Sequence, residues 1–490
     1  MGLNLLMNMA STLLVGYVLV FIILRRVNGW YYGLKLGRKH YLVPKGDMGW
    51  PLVGNIVPFM KAFLYGNPDS FINNLISKHG ESGIYKTHLF GNPSIIVCQP
   101  EMCRQVLTDD EHFRLGYPTT VTWLARSKPL YDACNAQHKR FRRTIVSHIV
   151  GHKALSVYVE RIEESVIRSL DDLSSMKYPV QFLKEMKKVT FEVIVGVFLG
   201  SENMHVFNNI GGLFTEMFDG LFSLPLNIPG FVYHKALKAR KKLTNIIQPL
   251  VDERRMMMIK NGLSQGKKDL VDIFLQIEDG NGKKLENEDI VDLLLGFLAA
   301  GYESTATTLT WVVIYLTDHP EIMKKAKEEQ EEILKTREPS HKHIDIKEIK
   351  QMIYLAKVID ETMRLANISF STFRKAITDV NINGFIIPKG WKVLVWARAV
   401  HMDPTNYENP LQFNPSRWDD YNGKAGTFIP FGAGSRLCPG MDLAKLEISI
   451  FMHYFLLNYK LERVNSKCPI TCLPAPKPVD GCLAKVIKIS

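Results

Sequence analysis

Between Phe428 and Ser449 the chain reads FIPFGAGSRLCPGMDLAKLEIS, a glycine-rich loop holding one cysteine, Cys438, ahead of a proline-free helical pattern from Leu443 to Tyr459. A thiol just before a helix sits among free backbone N–H groups at the positive end of the helix dipole, and both favour the thiolate. Gly432, Gly434 and Gly440 permit close backbone approach to a flat ligand. Pro439 removes one N–H and stiffens the exit. Two chemistries suit a lone thiolate, nucleophilic attack and metal ligation. A nucleophile wants a positioned base, and no histidine lies nearby in sequence. As an axial ligand of haem iron, one thiolate suffices: the porphyrin supplies the remaining ring of nitrogens, and the sulfur donates electron density that favours O–O cleavage.

Two further clusters carry polar groups at chemical spacing. Ala300-Gly301-Tyr302-Glu303-Ser304-Thr305 interrupts an apolar run with a carboxylate and two hydroxyls. Gly301 lacks a side chain and the hydroxyls compete for backbone carbonyls, a combination that can distort a helix locally and open a pocket. Glu303 then reads either as a proton donor beside a hydroxyl or as one member of a structural hydrogen-bond network, with equal weight. Glu361 and Arg364 lie three apart on one helical face. Exposed, such a pair is worth at most about 1 kcal/mol.

These groups need rigid carriers. Asp289 to Leu316 is apolar enough to mimic a membrane span, but Glu303 sits in its middle and no basic flank follows. A mid-bilayer charge is costly, so the stretch reads as a buried helix about 40 Å long through the centre of the protein. Helical patterning runs from about 135 to 335. Short strand-like runs occur at GIYKTHLF, at PSIIVCQP and over 374–398, the last with turns at Asn383-Gly384 and Lys389-Gly390. One mainly helical body with small β-sheets follows, not a string of domains.

Ahead of it, Leu5 to Leu24 is nearly all apolar and about 20 residues long, enough to cross a bilayer. Arg25, Arg26, Lys35, Arg38 and Lys39 follow it. That charge layout is the reverse of a cleaved signal and places the remainder in the cytosol. Residues 1–24 read as a retained single-pass anchor, 25–60 as a proline- and glycine-rich neck, and 61–490 as the catalytic body. Seven cysteines without a CxxC pair argue against a disulfide framework or structural zinc. The net charge of +12 is spread along the chain without a basic-aromatic block. Nucleic acid is therefore excluded, and an acidic protein or anionic lipid fits better.

Phe431-Gly432-x-Gly434-x-Arg436-x-Cys438-x-Gly440 resembles the haem-binding signature of the cytochrome P-450 monooxygenases. The 300–305 cluster, Glu361-x-x-Arg364 and Pro415-Ser416-Arg417-Trp418 match further motifs in the family's order, and the resemblance spans the whole chain. It implies the P-450 fold behind an N-terminal transmembrane helix, haem b with Cys438 as axial ligand and Phe431 in the haem loop. It also implies oxygen activation by Glu303 with Ser304 or Thr305. The family places threonine where Ser304 stands, so either hydroxyl can hold the role. Arg436, Arg374 and Arg142 are implied as partners of the haem propionates, with His138 where the family usually has tryptophan. Glu361, Arg364 and Arg417 are implied as a buried network that retains haem, and breaking such a network costs about 3–5 kcal/mol.

The resemblance also implies O2 as oxidant, and NADPH electrons delivered through NADPH–cytochrome P-450 reductase docked on a basic face. The location it implies is the endoplasmic reticulum membrane. Finer strings, among them DETMRLANISFSTFRKA and KPVDGCLAKVIKI, resemble the plant subfamily of beta-amyrin 11-oxidase and ent-kaurenoic acid oxidase. That implies attack on an unactivated C–H of a polycyclic terpenoid, first a triterpene in saponin-type biosynthesis, with a gibberellin-type diterpene acid as alternative. Substrate contacts are expected from 111–135, 213–235 and 365–373. The competing classes are a reductase-independent haem-thiolate isomerase and a haemless membrane scaffold.

Overall fold

The computed structural model describes residues 2–126, 135–146, 151–200, 207, 210–261, 269–278, 282–338 and 343–489. Cys134 and the end of the first expected substrate segment, 127–134, lie outside the described residues. The other six cysteines are free thiols.

The N-terminal apolar run belongs to a helix, Gly2–Leu36, that continues past residue 24. Among the described residues, Leu13–Leu42 is the single stretch long and apolar enough to cross a membrane, with mean hydropathy 1.6 and 6% of its most apolar window buried. The residues expected to form a neck are tied into the fold. Asn28 Nδ2 donates to the Met48 carbonyl at 3.1 Å, and Gly46–Asp47 pairs in parallel with Lys86–Thr87.

The long apolar run in mid-chain is a core helix, Asn287–Asp318, here called the central helix. Glu288 and Asp289 in its first turn complement the dipole, and Pro320 opens the next helix one residue beyond the His319 cap. The central helix packs along Phe182–Leu199 and sits inside the largest apolar cluster, with Leu294, Leu298, Leu309 and Val312 at zero exposure.

A six-stranded sheet flanks the helical body, in the order Gly46–Asp47, Ile84–Leu89, Asn92–Val97, Lys392–Val395, Thr372–Ala376, Phe113–Leu115. In its register Arg374 lies between Leu115 and Val393. Asn383 and Gly384, both at positive φ, close the two-residue hairpin between Val380–Ile382 and Phe385–Ile387 that the sequence marks. The helix after the cysteine loop runs Met441–Asn458.

Candidate active site

The cysteine loop is built by its own backbone. Ile429 O accepts from Gly432 N at 3.0 Å, Gly434 O from Leu437 N at 3.1 Å, and Phe431 O from Cys438 N at 3.0 Å. Gly432 and Gly434 have φ of 76° and 72°. A Cβ on Gly434 would lie 2.5 Å from the Leu107 carbonyl oxygen, whereas one on Gly432 meets nothing within 4 Å. Gly434 therefore lets the loop press onto the Pro100–Thr108 helix, and Ser435 Oγ secures that approach by donating to Asp110 Oδ1 at 2.5 Å. Burial pushes the Cys438 thiol up; the Gly440 N–H, the Arg142 charge and the Met441 N–H act the other way. The helix start thus pulls in the expected direction but does not outweigh desolvation. Coordination to a metal cation deprotonates a thiol outright.

Basic groups converge beside this loop. An Arg142 guanidinium N–H donates to the carbonyl of Leu437, the residue before Cys438. His138 is buried, and its Nδ1 has no partner. Burial first, then the charges of Arg436 and Arg142, and lastly that of Arg374 push its pKa to about 4, against Asp110. Arg374 is 3% exposed. Its guanidinium is pushed down by burial, with Tyr117 and Asp110 acting in its favour. Asp110 itself is shared with Ser435 and Lys139. Arg374 and Arg436 lie in the field of one carboxylate, Asp110, which Ser435 and Lys139 already engage, and Arg142 stands at the same loop. Arg374, nearly without exposed surface, is stable only with anionic charge close by. Together with the orphaned His138 Nδ1, this donor set fits a flat ligand bearing two carboxylates, as haem does.

The central helix presents two separate faces. Ala300 and Ser304, one turn apart, are exposed within an otherwise buried stretch, and Ser304 Oγ donates to the Ala300 carbonyl at 2.6 Å. Thr305 is 4% exposed. Glu303 points elsewhere: its Oε1 accepts from Lys187 Nζ at 2.7 Å and from Thr215 Oγ1 at 2.9 Å. No break in the helix marks Gly301. The helix is continuous, and the space of the missing side chain is taken by Ile194, whose Cδ1 would lie 2.7 Å from a Cβ there. The hydroxyls of Ser304, Thr307 and Thr308 bond back to carbonyls four residues earlier without breaking the ladder.

Glu361, Arg364 and Arg417 meet. Glu361 Oε1 accepts from Arg364 Nη2 at 2.8 Å and Arg417 Nε at 2.9 Å; Oε2 accepts from Arg364 Nε at 2.9 Å and Trp418 Nε1 at 3.1 Å. Glu361 and Arg364 have no exposed surface. The ExxR spacing here is a buried, saturated network.

The three expected substrate segments also converge. Thr120 Oγ1 donates to Leu221 O at 2.6 Å. Tyr117 lies 5.3 Å from Phe373, and Phe222 lies 5.6 Å from Phe370 and 5.9 Å from Phe373, ring to ring. The result is an aromatic wall. Lys392 stands at its edge, with Nζ 3.3 Å from the Tyr117 carbonyl and its pKa pushed down to about 8 by burial.

Sequence reasoning missed Lys187, Thr215 and Asp110. Each reaches a site residue across a separation of 88 residues or more, and nothing local marks it.

A mainly helical body that holds a lone thiol in a glycine loop among converging cations has the makings of a haem-thiolate oxygenase. The cytochrome P450 family profile matches residues 44–481, and the chain belongs to that family. It is a P450 monooxygenase; membership implies haem with thiolate ligation, and the use of O2 and a redox partner. Across 98% of both chains it is 64% identical to beta-amyrin 11-oxidase of Glycyrrhiza uralensis. It is 46% identical to ent-kaurenoic acid oxidase 2 of Arabidopsis thaliana over 97% of each. Among solved structures, retinoic acid bound cyanobacterial CYP120A1 matches with a TM-score of 0.81 and 25% identity, covering 91% of this chain and 99% of that one.

Proposed function

We propose that the protein is a membrane-anchored monooxygenase of a pentacyclic triterpene, attacking an unactivated ring C–H such as C-11 of beta-amyrin. The observation that carries this reading is the 64% identity to a beta-amyrin 11-oxidase across nearly all of both chains. The aromatic wall of Phe222, Phe370 and Phe373 supports it, because it offers an apolar surface to an apolar substrate. An N-terminal helix long and apolar enough to cross a bilayer supports it too, because such a substrate dissolves there. The endoplasmic reticulum membrane, with the body in the cytosol, suits the basic residues after the helix.

In this reading Cys438 Sγ ligates the haem iron, and Phe431 packs within the same loop. Arg142, Arg374, Arg436 and His138 hold the propionates. When bound, the thiolate-ligated haem supplies the binding and activation of O2. Electrons come from NADPH through NADPH–cytochrome P450 reductase. Ser304 Oγ, on the open face of the central helix, would donate a hydrogen bond toward oxygen by turning its proton away from the Ala300 carbonyl, while Thr305 packs in the core. Glu303 holds a carboxylate next to Ser304 in sequence, but its Oε1 is committed to Lys187 Nζ and Thr215 Oγ1. Moving a proton toward Ser304 Oγ requires that carboxylate to turn. The aromatic wall excludes water from the face it covers.

The test is incubation of the anchored enzyme and its reductase with beta-amyrin and, separately, with ent-kaurenoic acid. An 11-oxidised triterpene that forms only with NADPH and reductase is expected. Oxidation of the diterpene acid alone would move the substrate assignment. Turnover without reductase would move the class to an isomerase.

A further inference from the structure

We infer that His401 is a positioning residue that transmits the fixed geometry of the Glu361–Arg364–Arg417 network to the cysteine loop. The inference rests on the proposed ligation by Cys438. His401 ends the short helix Ala397–His401 that follows the strand Lys392–Val395, and it has no exposed surface. It touches both parties. Its carbonyl accepts from Arg364 Nη1 at 2.8 Å, and its ring Nε2 accepts from the backbone N–H of Ile429 at 3.1 Å.

Ile429 is where the loop is founded. Its own carbonyl accepts from Gly432 N, and Phe431 O, two residues on, accepts from Cys438 N. A chain of hydrogen bonds and short backbone segments therefore runs from the buried carboxylate of Glu361 through Arg364 and His401 to the loop that ends in the sulfur. A parallel apolar route exists. Trp418, whose Nε1 donates to Glu361, lies 4.5 Å from the Phe428 ring, which in turn lies 5.7 Å from His401.

The chemistry of the side chain suits the task. Accepting at Nε2 puts the ring proton on Nδ1. Burial, with the Arg364 and Arg398 charges, pushes the ring pKa to about 3, so Nε2 stays an acceptor through the neutral range. An apolar residue here would leave the Ile429 N–H, itself buried, without a partner. Glutamine can bring an amide oxygen near the place of Nε2; asparagine is one carbon shorter and cannot.

The experiment compares His401→Gln, His401→Asn and His401→Leu as full-length, haem-loaded proteins. It reads the fraction of the reduced carbon-monoxide complex that shows the thiolate-type band, well below each variant's melting temperature, and amide exchange across 428–438. For Leu and Asn we expect the ratio of thiolate-type to thiolate-free complex to fall about fivefold or more, and exchange in the loop to rise by a like factor. Gln should keep both near wild type, and exchange in the central helix should be unchanged in all three. Leu or Asn retaining the full thiolate band with wild-type loop exchange would overturn the inference, even if their melting temperatures fell. So would Gln failing as badly as Asn. A wild-type protein without any thiolate band would instead overturn the ligand assignment itself.

Discussion

Glu303 Oε1 and Lys187 Nζ lie 2.7 Å apart, with side chains 5% and 10% exposed. The pair joins the central helix to the Phe182–Leu199 helix, and Thr215 adds a third helix through a 2.9 Å hydrogen bond. The acidic residue of the 300–305 cluster is thus a structural member of the core.

Removing either charge alone leaves the other buried and unpaired. Lys187→Met should destabilise the fold by about 3–5 kcal/mol. Lys187→Met combined with Glu303→Gln should recover a large part of that loss, because no orphan charge remains. Urea unfolding of the single and double variants measures this. Additive losses would show that the two groups do not depend on one another.

Ser304 and Thr305 can be separated by activity. Ser304 is exposed on the face it shares with Ala300, and Thr305 is buried. Ser304→Ala should lower product formed per NADPH consumed by about 10-fold to 100-fold, the worth of one hydrogen bond to a charged group. Thr305→Ala should cost mainly stability, as a small cavity does. Product yield against NADPH oxidation, with thermal melting alongside, distinguishes the two; the reverse pattern would assign the role to Thr305.

The sequence made the carriers legible because periodicity and turn chemistry are local. The apolar run around Glu303 could be read as a core helix from its own charge pattern, and Asn383-Gly384 as a hairpin turn. The cysteine loop was legible from glycine spacing. What Glu303 points at was not, since its partners lie 88 and 116 residues away. At Gly301 the sequence shows a missing side chain but not that Ile194 of the neighbouring helix uses the space it frees. Tyr117, Phe222, Phe370 and Phe373 come from three segments far apart in sequence, and only the fold brings them into one wall.

The two loop glycines should respond differently to alanine. Both carry positive φ, which costs a non-glycine residue about 1–2 kcal/mol. At Gly432 no other protein atom stands within 4 Å of the added carbon, so Gly432→Ala should cost the fold of the protein itself about that much. At Gly434 the added carbon would also meet the Leu107 carbonyl at 2.5 Å. Gly434→Ala should therefore push the loop off the Pro100–Thr108 helix and lower haem content per protein well below that of Gly432→Ala. Pyridine haemochrome assay of both variants checks the order.

Buried ionisable groups give stability a pH dependence with opposing parts. His453, with Nδ1 2.9 Å from Gln330 Oε1, is pushed to about 4 by burial and then by the Arg337 charge. His401 is pushed to about 3. In both the folded pKa lies below the ordinary 6.5, so the unfolded chain takes up the proton first. Their contribution is complete above about pH 6.5 and is lost as pH falls toward 4 and 3. Between pH 7 and 5 each should remove about 2 kcal/mol. Glu447 runs the other way. It is 2% exposed, its Oε1 is unpartnered, and burial pushes its pKa well above the carboxylate range. Its contribution is complete below about pH 4.5 and is lost as pH rises through its folded pKa. In urea midpoints across pH 5–8, His453→Phe should therefore flatten the acid side, and Glu447→Gln should make stability rise more steeply with pH. If His453→Phe merely lowers the whole curve and leaves its slope unchanged, the ring is not what titrates. A slope unchanged by Glu447→Gln would likewise mean that the carboxyl is neutral in both states or charged in both across that range.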